Sequence, residues 1–350
     1  MTRKFSSILV TGGAGFIGSA FIRYLLTKEN FTGKIINLDA LTYAGNLENL
    51  STVKDDYRYQ FIKENICDKE KVLEVCQKES VDLIVHFAAE SHVDRSILSP
   101  MDFAYTNVIG TLSLLEVVKE MPQIHFHHVS TDEVYGSLGE TGLFTEASAY
   151  APNSPYSASK ASSDHFVKAY NKTYNISTTV SNCSNNFGPF QFPEKLIPLV
   201  LLRCQNKKAI PVYGKGDNVR DWLYVEDHVE AIWKIVTLAE KSSYYNIGGD
   251  CEVKNIDIVK EIISCYSEIT KQSGKELESL IEYVTDRPGH DFRYAIDTSS
   301  IQKDLNWKAK HNFSDALRKT IEWYLANPSW VKNIESGQYQ KWIETNYLSR

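Results

Sequence analysis

Near its start the chain reads Ser7-Ile8-Leu9-Val10-Thr11, an apolar run fit for a buried strand. It passes at once into Gly12-Gly13-Ala14-Gly15-Phe16-Ile17-Gly18, ahead of a helical pattern from Ala20 to Leu26. A strand, a glycine turn and a helix in this order constrain the fold more than any other feature. The glycines permit a tight turn, close approach of backbone to a pyrophosphate and close packing of helix on strand, with the helix N-terminus facing the anion. The run fits two registers, G-x-x-G-x-x-G from Gly12 and G-x-G-x-x-G from Gly13. Its context gives it weight: a second apolar run, Ile35-Ile36-Asn37-Leu38, ends in Asp39 about 20 residues past the last glycine, where a ribose-binding acid belongs. A carboxylate there accepts from both ribose hydroxyls and repels a 2′-phosphate, which selects NAD over NADP; the plainer role for Asp39 is a helix cap.

Further apolar runs alternate with helical patterns. Tyr59 to Lys63 reads as a third strand and Lys69 to Glu79 as a helix. Val81 to Phe87 is a fourth strand and Ile124 to Ser130 the next, separated by a long amphipathic helix from Pro100 to Glu120. This alternation predicts right-handed βαβ units and the fold class α/β, a doubly wound parallel Rossmann sheet. Asp68, after Asn65-Ile66-Cys67, either holds an adenine amino group or caps the following helix. Ala88-Ala89-Glu90 begins with small residues that let backbone pass close to a cofactor. His92 and Asp94 read as structural.

Composition narrows the function classes. The chain of 350 residues exceeds the usual single domain, its net charge of −6 comes with no long basic run, and no apolar stretch approaches the ~18 residues of a membrane span. Nucleic acid and membrane are therefore not expected as partners. Met1 to Phe5 lead into the first strand without a signal-peptide pattern, and the six cysteines form neither a C-x-x-C pair nor a regular framework. A cytoplasmic protein with reduced thiols is expected. His125, His127 and His128 lack a carboxylate or Cys at ligand spacing and read as strand filling, so no metal is expected.

The chemistry concentrates in His128-Val129-Ser130-Thr131-Asp132-Glu133-Val134-Tyr135-Gly136 and in Tyr156-Ser157-Ala158-Ser159-Lys160. The first is an apolar strand ending in a hydroxyl and two adjacent carboxylates, placed by the sheet at the mouth of a ligand crevice. The second is a helix start whose Lys160 shares a face with Tyr156, so that its charge is expected to lower the phenol pKa toward that of a working base. Either motif alone is weak; their joint order behind a dinucleotide loop makes Thr131, Asp132, Glu133, Tyr156 and Lys160 the catalytic candidates.

After Ser177 to Ser181 the character changes. Asn, Gly and Pro clusters, among them Asn185-Asn186-Phe187-Gly188-Pro189 and Asp286-Arg287-Pro288-Gly289-His290-Asp291, mark a smaller, mixed α/β substrate-binding C-terminal lobe. The expected division is 1–184 for the NAD-binding part, with a returning segment near 221–247, and 185–350 for the lobe. Arg220 and Arg287 suit a diphosphate, the alternative for each being a surface salt bridge. Helices around 256–270 and 314–326 look like scaffold, and the tail beyond Trp330 carries no readable signal.

Taken together, Thr-Gly-Gly-Ala-Gly-Phe-Ile-Gly at 11–18, the acid at 39 and Tyr156-x-x-x-Lys160 resemble the extended short-chain dehydrogenase/reductase family acting on nucleotide sugars. Leu41-Thr42-Tyr43-Ala44-Gly45-Asn46, Ala89 to Ser96, Thr131 to Gly136, Asn185 to Pro189 and Asp286 to Asp291 bring the chain closest to its dTDP-glucose 4,6-dehydratase branch, from about residue 7 to about 326. Phe187 stands where that branch usually has Tyr. Within the family Asp132-Glu133 is the most specific feature, because related epimerases carry other residues there.

The resemblance implies that Tyr156, helped by Lys160 and Thr131, takes the C4 hydroxyl proton while the C4 hydride passes to NAD. Glu133 then removes the C5 proton, a protonated Asp132 expels the C6 hydroxyl as water, and the hydride returns to C6. It further implies cofactor contacts from Gly12, Gly15, Phe16, Ile17, Gly18, Asp39, Leu41, Thr42, Ile66, Asp68, Ala88, Ala89, Glu90, Thr106 and Asn186, besides Tyr156 and Lys160. Sugar-nucleotide contacts would come from Ser91, Thr131, Asn185, Lys195, Leu196, Pro211, Tyr213, Arg220, Asn255, Asp286, Arg287 and His290. It implies a homodimer built from the helices near 100–120 and 157–174. The rival readings are a dehydratase or 4-epimerase for another nucleotide sugar of UDP type, and an NAD-binding protein without catalysis; the residues do not distinguish thymine from uracil.

Overall fold

The structure is a computed structural model, and it describes residues 2–335. Strands β1 (Ser7–Thr11), β2 (Lys34–Asp39), β3 (Tyr59–Lys63), β4 (Leu83–His86), β5 (His125–Thr131) and β6 (Ser177–Cys183) form one parallel sheet in the order β3-β2-β1-β4-β5-β6. This is the doubly wound Rossmann order, with its topological switch between β1 and β4. A seventh parallel strand, Tyr244–Ile247, comes from the second half of the chain and pairs with β6 from Tyr244 opposite Val180 to Ile247 opposite Cys183.

Alternation of side chains across the strands builds two cores. Ile8, Val10, Leu83 and Val85 pack with α1 (Phe16–Thr27), whereas Leu9, Ile36, Leu38 and Ile84 face α2 (Lys69–Lys78) and the long helices on the other side. Those long helices differ from the single element expected. A short α3 (Val93–Leu98) precedes α4 (Pro100–Phe103), which runs through a π-helical stretch, Ala104–Ile109, into α5 (Gly110–Glu120). Beside them α6 (Pro155–Tyr174) starts with Ser154 and Ser157 capping each other and Pro155 in its first turn.

The lobe is assembled from short pieces: β7 (Asn185–Phe187), α7 (Leu196–Asn206), β8 (Ile210–Tyr213), β9 (Val219–Tyr224), α8 (Val225–Leu238), then β10, the seventh strand, β11 (Glu252–Lys254), α9 (Asn255–Thr270), α10 (Gly274–Glu278), β12 (Ile281–Val284), α11 (Ser299–Leu305), α12 (Phe313–Ala326) and α13 (Pro328–Glu335). Three strands pair in the order β11-β9-β7 and two as β12-β8. A separate apolar core of α7, α9 and α12 holds them, while α8 packs on α1 within the Rossmann core.

On β5 the imidazoles are satisfied by hydroxyls of β6. His125 lies against Ser177 Oγ and Thr179 Oγ1, and His127 against Thr179 Oγ1 and Ser181 Oγ. Among the described residues no three His, Cys, Asp or Glu are grouped to hold a metal ion, and no helix is long and apolar enough to cross a membrane.

Candidate active site

The carboxyl ends of β1, β2, β4, β5 and β6 open on one cleft of about 360 Å³. Its walls are the segments that follow those strands, with the 190–196 segment closing it from the lobe. Gly12, Gly15, Phe16, Ile17, Gly18, Asp39, Thr42, Ile66, Ala88, Ala89, Glu90, Ser91, Thr106, Thr131, Asp132, Glu133, Tyr156, Lys160, Asn185, Asn186, Lys195 and Leu196 all line it.

One end is shaped for a dinucleotide. Gly12 sits at φ +69°, and a Cβ there would stand 2.6 Å from the Ala88 nitrogen; one on Gly18 would stand 2.4 Å from the Gly12 carbonyl oxygen. Backbone is thus drawn in where a side chain would fill the floor. The α1 N-terminus has no side-chain cap and no acid in its first turn, leaving its amides for an anion. Asp39 accepts from the Ala14 amide at 2.9 Å and the Leu41 amide at 2.8 Å, and burial raises its pKa against those bonds. Glu90 is pinned through its backbone by Asn107, whose amide nitrogen also reaches Ser159 Oγ at 2.8 Å. These features fit NAD. Asp68 instead accepts from the Lys71 amide at 3.1 Å and caps α2; it does not line the cleft, and neither does Leu41, whose contribution is backbone.

The other end carries the reactive side chains. Thr131 Oγ1 lies 3.3 Å from Asp132 Oδ1 and hydrogen-bonds the Tyr156 phenol. Asp132 is buried, and its Oδ2 finds no hydrogen-bond partner among the described residues. Burial, then the neighbouring Glu133 and Asp221, push Asp132 well above the carboxylate range. Burial raises Glu133 too, but the charges of Arg287, Lys195 and Arg220 oppose it. Burial thus raises both carboxyls, Asp132 well above the range beside two further acids and Glu133 less, with three cations opposing it.

The expectation for Tyr156 needs correcting. Burial first, then Glu133 and Cys183, hold its phenol well above the usual range, and Lys160 does not offset them. The lysine is turned inward: its Nζ donates to the Val129 carbonyl at 2.9 Å and meets His128 Nε2 at 3.4 Å. His128 Nε2 is in turn 3.2 Å from Asp164 Oδ1, and Asp164 Oδ2 accepts from Ser130 Oγ and the Tyr150 hydroxyl, both at 2.9 Å. Sequence reasoning missed His128 and Asp164 as partners of Lys160. The signal was present, because Tyr156, Lys160 and Asp164 recur at one-turn spacing along α6.

Several lobe residues named from sequence form a neighbouring cluster outside the cleft lining. The Tyr213 hydroxyl donates to Asp94 Oδ2 at 2.8 Å, Arg287 Nη1 stands 3.4 Å from Asp94 Oδ1, and His290 Nδ1 stands 2.6 Å from Asp286 Oδ1. Arg220 gives its guanidinium to the carbonyls of Val219 and Asp291 and lies over the Tyr294 ring. Pro211 and Asn255 belong to β8 and the start of α9. The cluster reaches the site electrostatically, through Glu133.

A glycine-looped Rossmann sheet whose cleft joins Thr131, Tyr156 and Lys160 defines a nucleotide-cofactor enzyme of the short-chain dehydrogenase/reductase type. The family model for GDP-mannose 4,6 dehydratase matches residues 9–320. The chain is 51% identical to the dTDP-glucose 4,6-dehydratase of Shigella flexneri, over 98% of this chain and 99% of that one. The crystal structure of dTDP-glucose 4,6-dehydratase from Bacillus anthracis in complex with NAD superposes with a TM-score of 0.86 at 47% identity, covering 94% of this chain and 99% of that one. The enzyme from Streptomyces venezuelae, also with NAD bound, gives 0.89 at 41% identity over 94% and 99%. The chain belongs to the dTDP-glucose 4,6-dehydratase family.

Proposed function

We propose that this protein dehydrates dTDP-glucose to dTDP-4-keto-6-deoxyglucose, with NAD returned unchanged at the end of each turnover. The observation that carries the reading is the pair at the end of β5: Asp132 and Glu133, adjacent in sequence beside Tyr156, with Asp132 pushed well above the carboxylate range and Glu133 raised less, against the charges of three cations. An elimination needs one carboxylic acid and one carboxylate together, and an epimerase has no use for that pair.

The roles follow from the chemistry. Bound NAD supplies the hydride acceptor and donor, and its cationic ring is the charge that a phenol held high by burial needs in order to release its proton. Tyr156 receives the C4 hydroxyl proton, steadied by Thr131. A C–H bond yields its proton readily only beside a carbonyl, so oxidation at C4 precedes elimination, after which Glu133 removes the C5 proton. Asp132 donates to the departing C6 hydroxyl and water leaves; the hydride then returns to C6 while Glu133 gives its proton back to C5, and the proton that Tyr156 took balances the one Asp132 lost. Gly12, Gly15, Gly18 and Asp39 hold the cofactor, and Asn185, whose buried Oδ1 has no partner among the described residues, faces the sugar nucleotide with Lys195. Residues 1–184 with the 221–247 return serve the cofactor, and the remainder of 185–350 forms the lobe for the sugar nucleotide.

The enzyme works as a homodimer: Met101, Tyr105 and Ile109 stay exposed along the 100–120 helices, and Phe166 and Tyr174 along α6, which supports pairing on that face. Its six free cysteines support a reducing, cytoplasmic setting. Incubation with dTDP-glucose, UDP-glucose and GDP-mannose, read by mass spectrometry, tests the function. Loss of water from the dTDP sugar alone is expected; a galactose isomer, or water loss only from another nucleotide, would overturn it.

A further inference from the structure

We propose that α13 is a cofactor-retaining strap, in which Trp330 and Ile334 close the adenosine side of the NAD cleft and Trp330 fixes the glycine loop through Asn49. The inference rests on the NAD reading above and adds residues that no part of the site motifs includes.

Three independent observations meet here. First, Trp330 and Ile334 line the same cleft as Gly15, Asp39, Gly45, Asn46 and Asn49, although they lie far away in sequence. Second, buried hydrogen bonds run from the helix to the loop: Trp330 Nε1 donates to Asn49 Oδ1 at 2.8 Å, and Asn49 Nδ2 donates to the Ala14 carbonyl at 2.9 Å. Ala14, with its amide on Asp39, is the middle of the glycine turn, and its carbonyl also accepts from the Asn46 amide at 3.0 Å. Third, the helix is held at both ends of its reach. Trp330 stacks edge-on against Trp323, Tyr324 and Phe190, and the Arg23 guanidinium of α1 lies 4.2 Å from the Phe190 ring centre. Beyond Trp330, Asn333 Nδ2 donates to Glu48 Oε1 at 2.8 Å. The lobe's aromatic box thereby clamps onto the body that cradles the cofactor.

The chemistry explains the use of such a strap. A hydride that is taken and given back within one turnover leaves the cofactor in its starting state, so the dinucleotide never has to exchange. Any loss of it between the two transfers strands the sugar as an oxidised 4-keto intermediate that never receives the hydride at C6.

The test is the release of bound NAD from the purified full-length protein, with labelled NAD chased by unlabelled NAD. Trp330→Ala is expected to release label roughly tenfold faster, the scale of one lost buried aromatic contact. Trp330→Phe, which keeps a ring but loses the bond to Asn49, should fall between. Ile334→Ser, half-buried at the cleft edge, is the second variant and decides the matter if Trp330→Ala does not fold; it should also speed release while leaving dTDP binding at its wild-type affinity. Folded variants that release NAD at the wild-type rate, beside a wild type that holds it, would overturn the strap alone. A wild type that holds no NAD would overturn the cofactor reading and the strap with it.

Discussion

Replacing Asp164 by Asn should disable Lys160 without touching it. The lysine is buried, its pKa is lowered by desolvation, and Asp164 is the strongest charge opposing that fall. The two legs through His128, 3.4 and 3.2 Å, put the charges no more than about 7 Å apart. At an effective dielectric of about 20 that separation is worth roughly 2.4 kcal/mol, some tens-fold in the protonation equilibrium of the ammonium. The neutral amide keeps the shape of the carboxylate and can still accept from Ser130 and Tyr150, so the loss is one of charge. Because the folded Lys160 already has a pKa below its unfolded value, the unfolded chain binds more protons in the window up to that unfolded value, and stability rises with pH across it. In Asp164→Asn the window widens downward. The variant should lose about 2 kcal/mol of stability near neutral pH and recover toward wild type as pH approaches the ordinary lysine range. With Lys160 taken as the cation that helps Tyr156, the role the family resemblance implies, the alkaline limb of kcat/KM should move to lower pH. Urea melts at several pH values and a pH–rate profile read both effects. In a Lys160→Met background the same substitution should be near neutral or stabilising, since the lone carboxylate it removes is then unpaired. An unmoved alkaline limb, with an equal stability cost in both backgrounds, would refute the coupling.

Asp132→Asn should slow dehydration by about 10²- to 10⁴-fold, the usual worth of a general acid, as measured by ketone formation from dTDP-glucose. Its folded pKa is raised, so the native protein gives up stability as pH climbs past the ordinary aspartate range. The variant, free of that burden, should melt higher than wild type at neutral pH by calorimetry. Gly12→Ala should abolish NAD binding in titration calorimetry: it adds a left-handed penalty of about 1–2 kcal/mol and a Cβ set against the Ala88 backbone.

The parts of this molecule legible in its sequence are those dictated within a short window. Strand β1, the glycine turn and α1 follow from an apolar run meeting glycines, and Asp39 from a fixed distance to the next strand end, so the parallel doubly wound sheet emerges from local pattern alone. What escaped depends on neighbours far along the chain. Strands of three to six residues, β7, β9 and β11, have too little length to show a period and exist because they pair with one another. The long helix read as one piece is interrupted by a π-helical stretch ahead of Gly110, where a Cβ would meet Ile66 Cδ1 at 2.4 Å; that packing requirement is invisible in the amphipathic stripe. Lys160 illustrates the deeper limit. Its spacing from Tyr156 suggested a charge aimed at the phenol, but spacing fixes a face and not a direction. The Val129 carbonyl and the His128 ring, supplied by β5 beneath the helix, draw the ammonium inward. Trp330 is the same lesson across 281 positions, since the buried acceptor of its indole N–H, Asn49 Oδ1, belongs to the cofactor loop of the opposite half of the chain. Reading such a site from sequence therefore requires asking of each charged or aromatic residue what the strand beneath it and the lobe above it offer, because those partners set its pKa and its orientation.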